Sequence, residues 1–356
     1  MKKDIKKNKF KDRFDFWATN SEEGGWDISS TDEGSQKMLE EENEKQIKIQ
    51  TGTDVIDDFV IDEETSDDER MIVNMGPQHP STHGVLRLQA ELEGEVVRRV
   101  KPIIGYLHTG MEKTGEELNY FQGPTNTTRM DYLSPLFNEL VFSLTTEKLI
   151  GIEVPERAKN IRILMTELNR ISSHLVALAT GGMDIGALSM MIFGFREREL
   201  ILNFFEKTTG LRMNHNYIRP GGVAADLPDG WQKDVKEILK IIPEKLQDYD
   251  DMLLDNPIWK GRLKNVGILT TEECFAYGVT GPSLRASGHS WDLRKSQPYS
   301  GIENFDFKVP VLSEGDVFAR WRIKVLEIFE SLKIVEQVMS DMPKGPFKIQ
   351  DKKIIP

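Results

Sequence analysis

Cysteine is nearly absent from this sequence, because only one of the 356 residues, Cys274, carries a thiol. A single thiol excludes a disulfide framework, and it excludes a cluster held by cysteines of this chain alone. Any redox metal that acts with this protein must therefore lie on a partner, and we expect no metal bound by the chain itself.

Long apolar runs are also missing. The apolar stretches are far shorter than the roughly 20 residues that a helix needs to cross a bilayer. The N-terminus has five lysines in its first nine residues and no apolar signal segment. We therefore expect a soluble or peripheral protein that stays inside the cell.

The charge is spread unevenly along the chain. Residues 1–70 contain 11 Lys or Arg and 21 Asp or Glu, so they carry −10 of the total net charge of −12. The remainder is nearly neutral, which disfavours a nucleic-acid partner, since that would require a basic face. Residues 1–68 have too few apolar side chains to offset the entropy of ordering, and we predict an acidic, largely disordered extension.

The rest of the chain divides by its hydrophobic periodicity. Residues 69–106 are rich in β-branched side chains with partial alternation, which predicts a small antiparallel sheet. From 107 to 343 the period becomes helical. The predicted fold class is α+β, mostly α, with the small N-terminal sheet packed on a helical bundle. Residues 344–356 are interpreted as the start of a C-terminal region.

Four long helices are predicted within 107–343. One has an apolar stripe from Ile161 to Leu178, begins near Pro155 and stops at Gly181-Gly182. A second runs from about 185 to 209, and its first half should be buried because it is apolar almost all round. A third spans 231–254 and is kinked or interrupted at Pro243. The last carries a regular stripe from 318 to 339.

Two of the six histidines, His79 and His83, are four residues apart in the segment GPQHPSTHG at 76–84. On a helix this spacing suits a divalent metal, but the prolines and glycines favour a loop, and no third ligand accompanies the pair. A metal site is therefore disfavoured. From the segment alone, the simpler interpretation is a loop whose imidazoles satisfy backbone groups.

Several long segments in a fixed order resemble the quinone-site subunit family of NADH-quinone oxidoreductases (complex I), over residues 70 to 356. The segments are GPQHPSTHGVLRL, GYLHTGMEK (105–113), RMDYLS (129–134), ELNRISSHL (167–175), MNHNYIRPGG (213–222), SLRASG (283–288) and RKSQPYSG (294–301). The resemblance implies the fold of the nickel-iron hydrogenase large subunit with its metal site lost. Consistent with this, 129–132 contains no thiol where hydrogenases hold metal.

The resemblance also implies a quinone site in the vacated cavity. It places His83 and Tyr132 as donors to the two quinone carbonyl oxygens, and it pairs Asp184 with the histidine. An imidazole and a phenol can each donate a hydrogen bond and a proton as the quinone gains electrons. Without the family, Tyr132 would be interpreted as a core tyrosine with its hydroxyl on a carbonyl. The local pattern makes Asp184 a helix N-cap, which is compatible with pairing.

Weaker matches and departures follow from the same resemblance. Glu112, Lys113, Arg129 and Arg219 fall in family-like segments, and either a polar network leading from the cavity or ordinary surface ion pairs would explain them. Many relatives carry a redox-linked histidine at the position of Asn214, whereas this chain has His215 one residue later. Relatives also continue beyond a segment like Gly345–Pro356.

The implied complex supplies the cofactors that this chain does not bind. Quinone is the substrate, the terminal iron-sulfur cluster lies on a neighbouring small subunit, and FMN and NADH are bound elsewhere. Further partners are other peripheral-arm subunits and a membrane-arm subunit at the quinone entrance. The implied location is the cytoplasmic side of the cell membrane, with quinone reduction coupled to proton translocation. Two alternatives stay open, a complex fed by ferredoxin or F420, and a non-catalytic scaffold.

Overall fold

A three-stranded antiparallel sheet begins the part of the chain that the computed structural model describes, residues 70–350. Its strands are β1 (Arg70–Met75), β2 (Arg87–Glu93) and β3 (Val96–Ile103), in the order β1-β2-β3. Ala90 lies opposite both Val73 and Val100. Gly94 turns the chain between β2 and β3 with a φ of 59°. The predicted sheet is confirmed, while the extension predicted at 1–68 lies outside the described residues.

The faces of this sheet are largely exposed. Ala90 is the one buried apolar side chain of the three strands, whereas Met71, Val97 and Val100 are about half exposed. The apolar core is built by residues from Leu136 onward. The sheet therefore contributes little apolar area to the core that holds the helices together.

Eleven helices follow between residues 111 and 340 of the described range. They are α1 (Met111–Glu117), α2 (Gly123–Thr127), α3 (Pro135–Ile150), α4 (Glu156–Asp184), α5 (Ser189–Thr209), α6 (Trp231–Leu253), α7 (Pro257–Leu263), α8 (Thr271–Ala276), α9 (Gly281–Ala286), α10 (Leu293–Ser296) and α11 (Val317–Ser340). A short hairpin, β4 (Ile218–Arg219) with β5 (Gly222–Val223), separates α5 from α6. The predicted α+β, mostly α fold is confirmed.

Helix α4 is the centre of the bundle. Its predicted stripe from Ile161 to Leu178 is fully buried, and Pro155 is the N-cap residue, as expected. Each fully buried Leu or Ile side chain stabilises the fold by about 1.5–3 kcal/mol. Helices α5 and α11 pack along α4, so all three depend on that stripe.

The predicted stop at Gly181-Gly182 is wrong, because α4 continues to Asp184. Gly182 instead permits close packing, since a Cβ on it would lie 2.7 Å from the Cβ of Met190 at the start of α5. The chain leaves the helical conformation at Gly186, whose φ is 100°. A glycine required for packing was taken for a helix terminator.

The predicted burial of the first half of α5 is also wrong. Leu188 and Ile192 are each 70% exposed, and Phe195 is exposed as well. In this half Met190 and Gly194 are buried and Phe193 is partly buried, while Ile201, Leu202, Phe204 and Phe205 bury the second half. An apolar pattern identifies a surface that avoids water, but it does not say which molecule covers that surface.

Helices α6 and α11 complete the bundle. Pro243 lies within a continuous α6, so the predicted interruption does not occur. The predicted last helix is confirmed, and the Asp316 carboxylate caps α11 by accepting from the Ala319 N–H at 2.7 Å. After α11, the Ile349 N–H donates to the carbonyl of Gly221 at 2.9 Å, which ties the chain back to the hairpin.

The two adjacent glycines of α4 give a matched test of this packing. We expect Gly182→Ala to lower the free energy of unfolding by about 1–3 kcal/mol, because overpacking forces Met190 to move. Gly181→Ala should raise the free energy of unfolding by up to about 1 kcal/mol. A Cβ added at Gly181 would have no neighbouring atom within 4 Å, and alanine favours the helix. Urea unfolding of both variants measures the difference, and equal effects would contradict the packing role.

Candidate functional site

The GPQHPSTHG segment forms a loop between β1 and β2, as predicted. A single 3₁₀ turn at Pro80–Thr82 is capped by His79, whose Nδ1 accepts from the Ser81 N–H at 3.2 Å. The buried Thr82 hydroxyl bonds the carbonyls of Pro77 and His79, each at 3.1 Å. His79 is therefore structural, and the turn delivers the chain to His83 in a left-handed conformation with a φ of 52°.

The structure brings His83 and Asp184 together although 101 residues separate them. The His83 Nε2 lies 3.1 Å from the Asp184 Oδ2. Their side chains are 42% and 37% exposed, so the pair lies at a surface where another molecule can reach the imidazole. A carboxylate accepts only, and it therefore favours the imidazole form that carries a proton on Nε2.

Asp184 is not the helix N-cap that its local sequence predicts. It is the last residue of α4, and Ile185 is the C-cap residue. The prediction failed because the glycines before Asp184 were interpreted as the end of a helix. The carboxylate thus extends from a helix C-terminus, and its hydrogen-bond partner among the described residues is His83.

Tyr132 lies in the connector between α2 and α3. Its side chain is 44% exposed, and its hydroxyl makes no hydrogen bond within residues 70–350. This differs from a core tyrosine bonded to a carbonyl. No hydrogen bond joins Tyr132 to His83 or Asp184 in the described part of the chain.

The connector that carries Tyr132 is fixed from both sides. The Asn169 side-chain amide donates to the Leu133 carbonyl at 2.8 Å, and its oxygen accepts from the Leu136 N–H at 3.0 Å. The Asn138 amide donates to the Asp131 carbonyl at 3.0 Å. Tyr132 is therefore an accessible phenol on a well-anchored backbone.

None of the four charged candidates pairs with another of the four within residues 70–350. Lys113 pairs with Glu116 at 2.5 Å, and Glu112 lies 3.8 Å from His108 on an exposed helix face. The Arg219 Nε donates to the Asn216 carbonyl at 2.9 Å. Arg129 is exposed and has no ion pair with the described residues. Within the described residues, the contacts of Glu112, Lys113 and Arg219 are therefore local contacts at the surface.

His215 is buried rather than facing a partner. Its Nδ1 lies 3.0 Å from the Leu211 carbonyl oxygen, and its ring meets Phe205 edge-on at 4.9 Å between centroids. Burial lowers the pKa of His215 to about 4, although its bond to Leu211 acts in the opposite direction. The imidazole is therefore neutral at physiological pH, while the neighbouring Asn214 cannot titrate at all.

A buried ionic cluster inside the bundle was missed by the sequence analysis. Glu167 on α4 receives the Arg294 guanidinium at 3.1 Å and the Ser331 hydroxyl at 2.7 Å. Burial alone would raise the pKa of Glu167, but the charges of Arg170 and Arg294 outweigh it and lower the pKa. The signal available was a set of polar residues within ELNRISSHL, on a helix whose apolar stripe predicted burial.

A second part of this cluster lies further along α4. Glu327 on α11 binds the His174 Nε2 and the Arg285 Nε, each at 2.7 Å. Burial would raise the pKa of Glu327, but the hydrogen bond from His174 and the charge of Arg285 lower it to about 2. The carboxylate is thus ionised, and it links α4, α9 and α11.

Another carboxylate, Glu139 on α3, organises the NYIRPGG segment. It accepts the N–H groups of Asn216, Tyr217 and Ile218 at 2.6–2.9 Å and the Thr128 hydroxyl at 2.6 Å. Glu139 thereby joins the hairpin region to the residue that precedes Arg129. Nothing in its local sequence indicates this role, because its partners lie 11 and about 78 residues away.

A groove of about 370 Å³ lies beside the Tyr132 connector. It is lined by Tyr120, Thr127, Met130, Asn138, Val141, Phe142, Thr145, Thr146 and Leu149. His83, Tyr132 and Asp184 do not line it. The candidate donors therefore lie on open surface in this chain.

Neither a metal cluster nor a membrane span occurs within residues 70–350. No group of three His, Cys, Asp or Glu side chains is arranged there to hold an ion. None of the helices in that range is long and apolar enough to cross a bilayer.

Comparisons with known proteins agree on one family. Residues 184–356 match the family model described as "Respiratory-chain NADH dehydrogenase, 49 Kd subunit". Three relatives, all named as the same NADH-quinone oxidoreductase subunit, come from Salinispora arenicola, Acidothermus cellulolyticus and Mycobacteroides abscessus. They are 57%, 56% and 54% identical over 81%, 83% and 87% of this chain. The aligned regions cover 66%, 68% and 72% of the relatives, so the chain spans about two thirds of their length.

The buried His215 makes the stability of this chain depend on pH. Its pKa is about 4 when folded and about 6.5 when unfolded, so the unfolded chain binds more protons between these values. Stability is therefore present above pH 6.5 and is lost as the pH falls toward 4. From pH 7 to 5 we expect a loss of roughly 2 kcal/mol that His215→Asn removes. Urea unfolding of both proteins at the two pH values tests this, and parallel losses would contradict it.

Proposed function

Because the chain belongs to the 49 Kd subunit family of respiratory-chain NADH dehydrogenases, the NADH-quinone oxidoreductases, we propose that it forms one wall of the quinone site of such a complex. The observation that carries the proposal is the His83–Asp184 pair at 3.1 Å, held at the surface by a Pro/Gly-rich loop. Two ionisable side chains from distant segments meet there without being needed for the core.

Quinone reduction consumes two electrons and two protons, and the pair can supply one of the protons. With the His83 Nε2–H directed at Asp184, a protonated imidazole offers its Nδ1–H to a quinone carbonyl oxygen. After that proton leaves, the neutral imidazole still donates Nε2–H to the carboxylate. Asp184 thus accepts the Nε2–H both before and after the transfer, which orients the ring and fixes the tautomer of the neutral imidazole.

Tyr132 is proposed to serve the second carbonyl oxygen. Its hydroxyl has no partner in the described part of the chain and its backbone is anchored by Asn169 and Asn138. A phenol that is not already bonded can donate to a developing oxyanion without first losing a protein hydrogen bond. The quinone headgroup would lie between Tyr132 and His83.

The electrons come from a partner in this proposal, because the single buried Cys274 cannot hold a cluster. The partner is a small subunit that carries the terminal iron-sulfur cluster, with NADH and FMN bound elsewhere in the complex. Exposed apolar side chains on α3, on α5 and at the N-cap of α5 support subunit contacts, among them Val141, Leu149, Ile192 and Leu188.

In the proposed complex this chain lies on the cytoplasmic side of the cell membrane, and quinone reduction is coupled to proton translocation. A membrane-arm subunit would complete the quinone entrance. Arg129 is exposed, lies three residues before Tyr132 and has no ion pair within 70–350, which suits a contact with another subunit. In this proposal Glu112, Lys113 and Arg219 join a charge network only when those partners are present.

Tyr132→Phe in the assembled complex tests the second donor. Removing the hydroxyl should lower quinone turnover about 10²-fold, because one proton donor is lost, while NADH oxidation by ferricyanide stays unchanged. Tyr277→Phe is the matched control, since Tyr277 is an exposed tyrosine outside the site. Normal quinone turnover in Tyr132→Phe would contradict the role of Tyr132 as the second proton donor.

His83→Ala, Asp184→Asn and the double variant test the pair. Each single change should lower kcat/KM for quinone by about tenfold or more, with assembly preserved because both residues are partly exposed. The double variant should be no worse than the more damaged single variant, since both changes remove one functional unit. Multiplying effects would argue that the two residues do not act as a pair, and the absence of any effect would leave a scaffold role.

A further inference from the structure

The C-terminus of α4 is held by an arginine from another helix. Arg262 on α7 directs its guanidinium to the carbonyl oxygen of Ile185, the residue that follows Asp184. The last carbonyl groups of a helix have no partner within the helix, and a cation there also complements the helix dipole. Arg262 satisfies one of these carbonyls directly beside the candidate site.

The turn after Asp184 is shaped to admit this guanidinium. Gly186 has a φ of 100°, and a Cβ on it would lie 2.6 Å from the Arg262 Nη1. A side chain at position 186 would therefore displace the arginine as well as strain the backbone. The glycine and the arginine form one fitted contact.

Helix α7 holds Arg262 in a fixed position. Asn256 caps the helix by accepting the N–H groups of Ile258 and Trp259. Trp259 and Leu263 are buried in the core, and the Trp259 ring meets Trp321 of α11 at 5.6 Å between centroids. Arg262 thus connects the rigid bundle to the end of α4.

We propose that Arg262 is a positioning residue for the His83–Asp184 pair, an inference that rests on the proposed quinone-site function. Among the described residues the Asp184 carboxylate bonds only to His83, so its place is set by the backbone on either side of it. Arg262 fixes that backbone at Ile185. It touches neither the pair nor the proposed substrate, and it acts through the geometry of the last turn.

Removing the guanidinium should loosen this turn and move the carboxylate away from His83. The imidazole would then lose the hydrogen-bond partner that accepts its Nε2–H and orients the ring. Since Arg262 acts only through this carboxylate, its replacement should cause little further loss of kcat/KM once Asp184 is already Asn. A residue needed only for stability would lower the amount of complex equally in both backgrounds.

The experiment measures quinone reduction by the assembled complex containing Arg262→Gln. We expect kcat/KM for quinone to fall about three- to tenfold in the otherwise unchanged chain and to fall little further in an Asp184→Asn background, with NADH oxidation by ferricyanide unchanged. Arg262→Lys should restore most of the activity, because an ammonium can still donate to the one carbonyl. Arg320→Gln is the matched control, since that guanidinium donates to the carbonyls of Gly267 and Gly315 instead.

The outcomes separate this inference from the function on which it rests. With Asp184→Asn itself impaired, wild-type kcat/KM in Arg262→Gln, or an equal further loss in the Asp184→Asn background, would overturn the positioning role alone. Normal activity in both Asp184→Asn and Tyr132→Phe would overturn the proposed function itself. If Arg262→Gln does not assemble, Gly186→Ala decides, because its Cβ displaces the guanidinium while keeping the charge. A loss of kcat/KM that disappears in the Asp184→Asn background would support the inference, and an unchanged kcat/KM would overturn it.

Discussion

Glu167 and Glu327 impose the constraint on which the helical bundle depends, because a carboxylate without water must be surrounded by donors. Glu167 is surrounded by Arg170, Arg294 and Ser331, and Glu327 by His174 and Arg285. These bonds tie α9, the start of α10 and α11 to α4. Removing one member would leave an uncompensated buried charge, so the cluster also holds in place the helix whose end carries Asp184.

The interior of the bundle and the candidate site differ in how completely their charged and polar side chains are hydrogen-bonded. Glu167 and Glu327 inside the bundle are surrounded by donors, whereas His83, Asp184 and Tyr132 are partly exposed and incompletely bonded. The carboxylates with a full set of donors stabilise the packing of the helices. The incompletely bonded side chains are available to the substrate in the proposed function. The exposed apolar side chains of α3 and α5 extend the same contrast, since they suit a chain that is completed by other subunits.

Local patterns predicted the regular elements well, because a stripe such as Ile161–Leu178 and a helix start such as Pro155 depend on neighbouring residues alone. They failed where a residue's role depends on a distant one. Gly182 looks like a terminator until Met190 is placed beside it, and Asp184 looks like an N-cap until α4 is seen to continue. The His83–Asp184 pairing came from family resemblance, since nothing local joins residues 101 positions apart. Glu139, Glu167 and Arg262 were missed for the same reason.

The three-stranded sheet shares few apolar contacts with the helices, so it can separate from them while the helices stay folded. Since its strands share almost no buried apolar area with the helices, detaching the sheet costs far less free energy than unfolding the bundle. The sheet and the loop bearing His83 thus form a unit of low local stability beside one of high stability. A molecule bound between His83 and Tyr132 would bridge the two, so occupancy of the site would itself tighten the sheet and slow the hydrogen exchange of its amides.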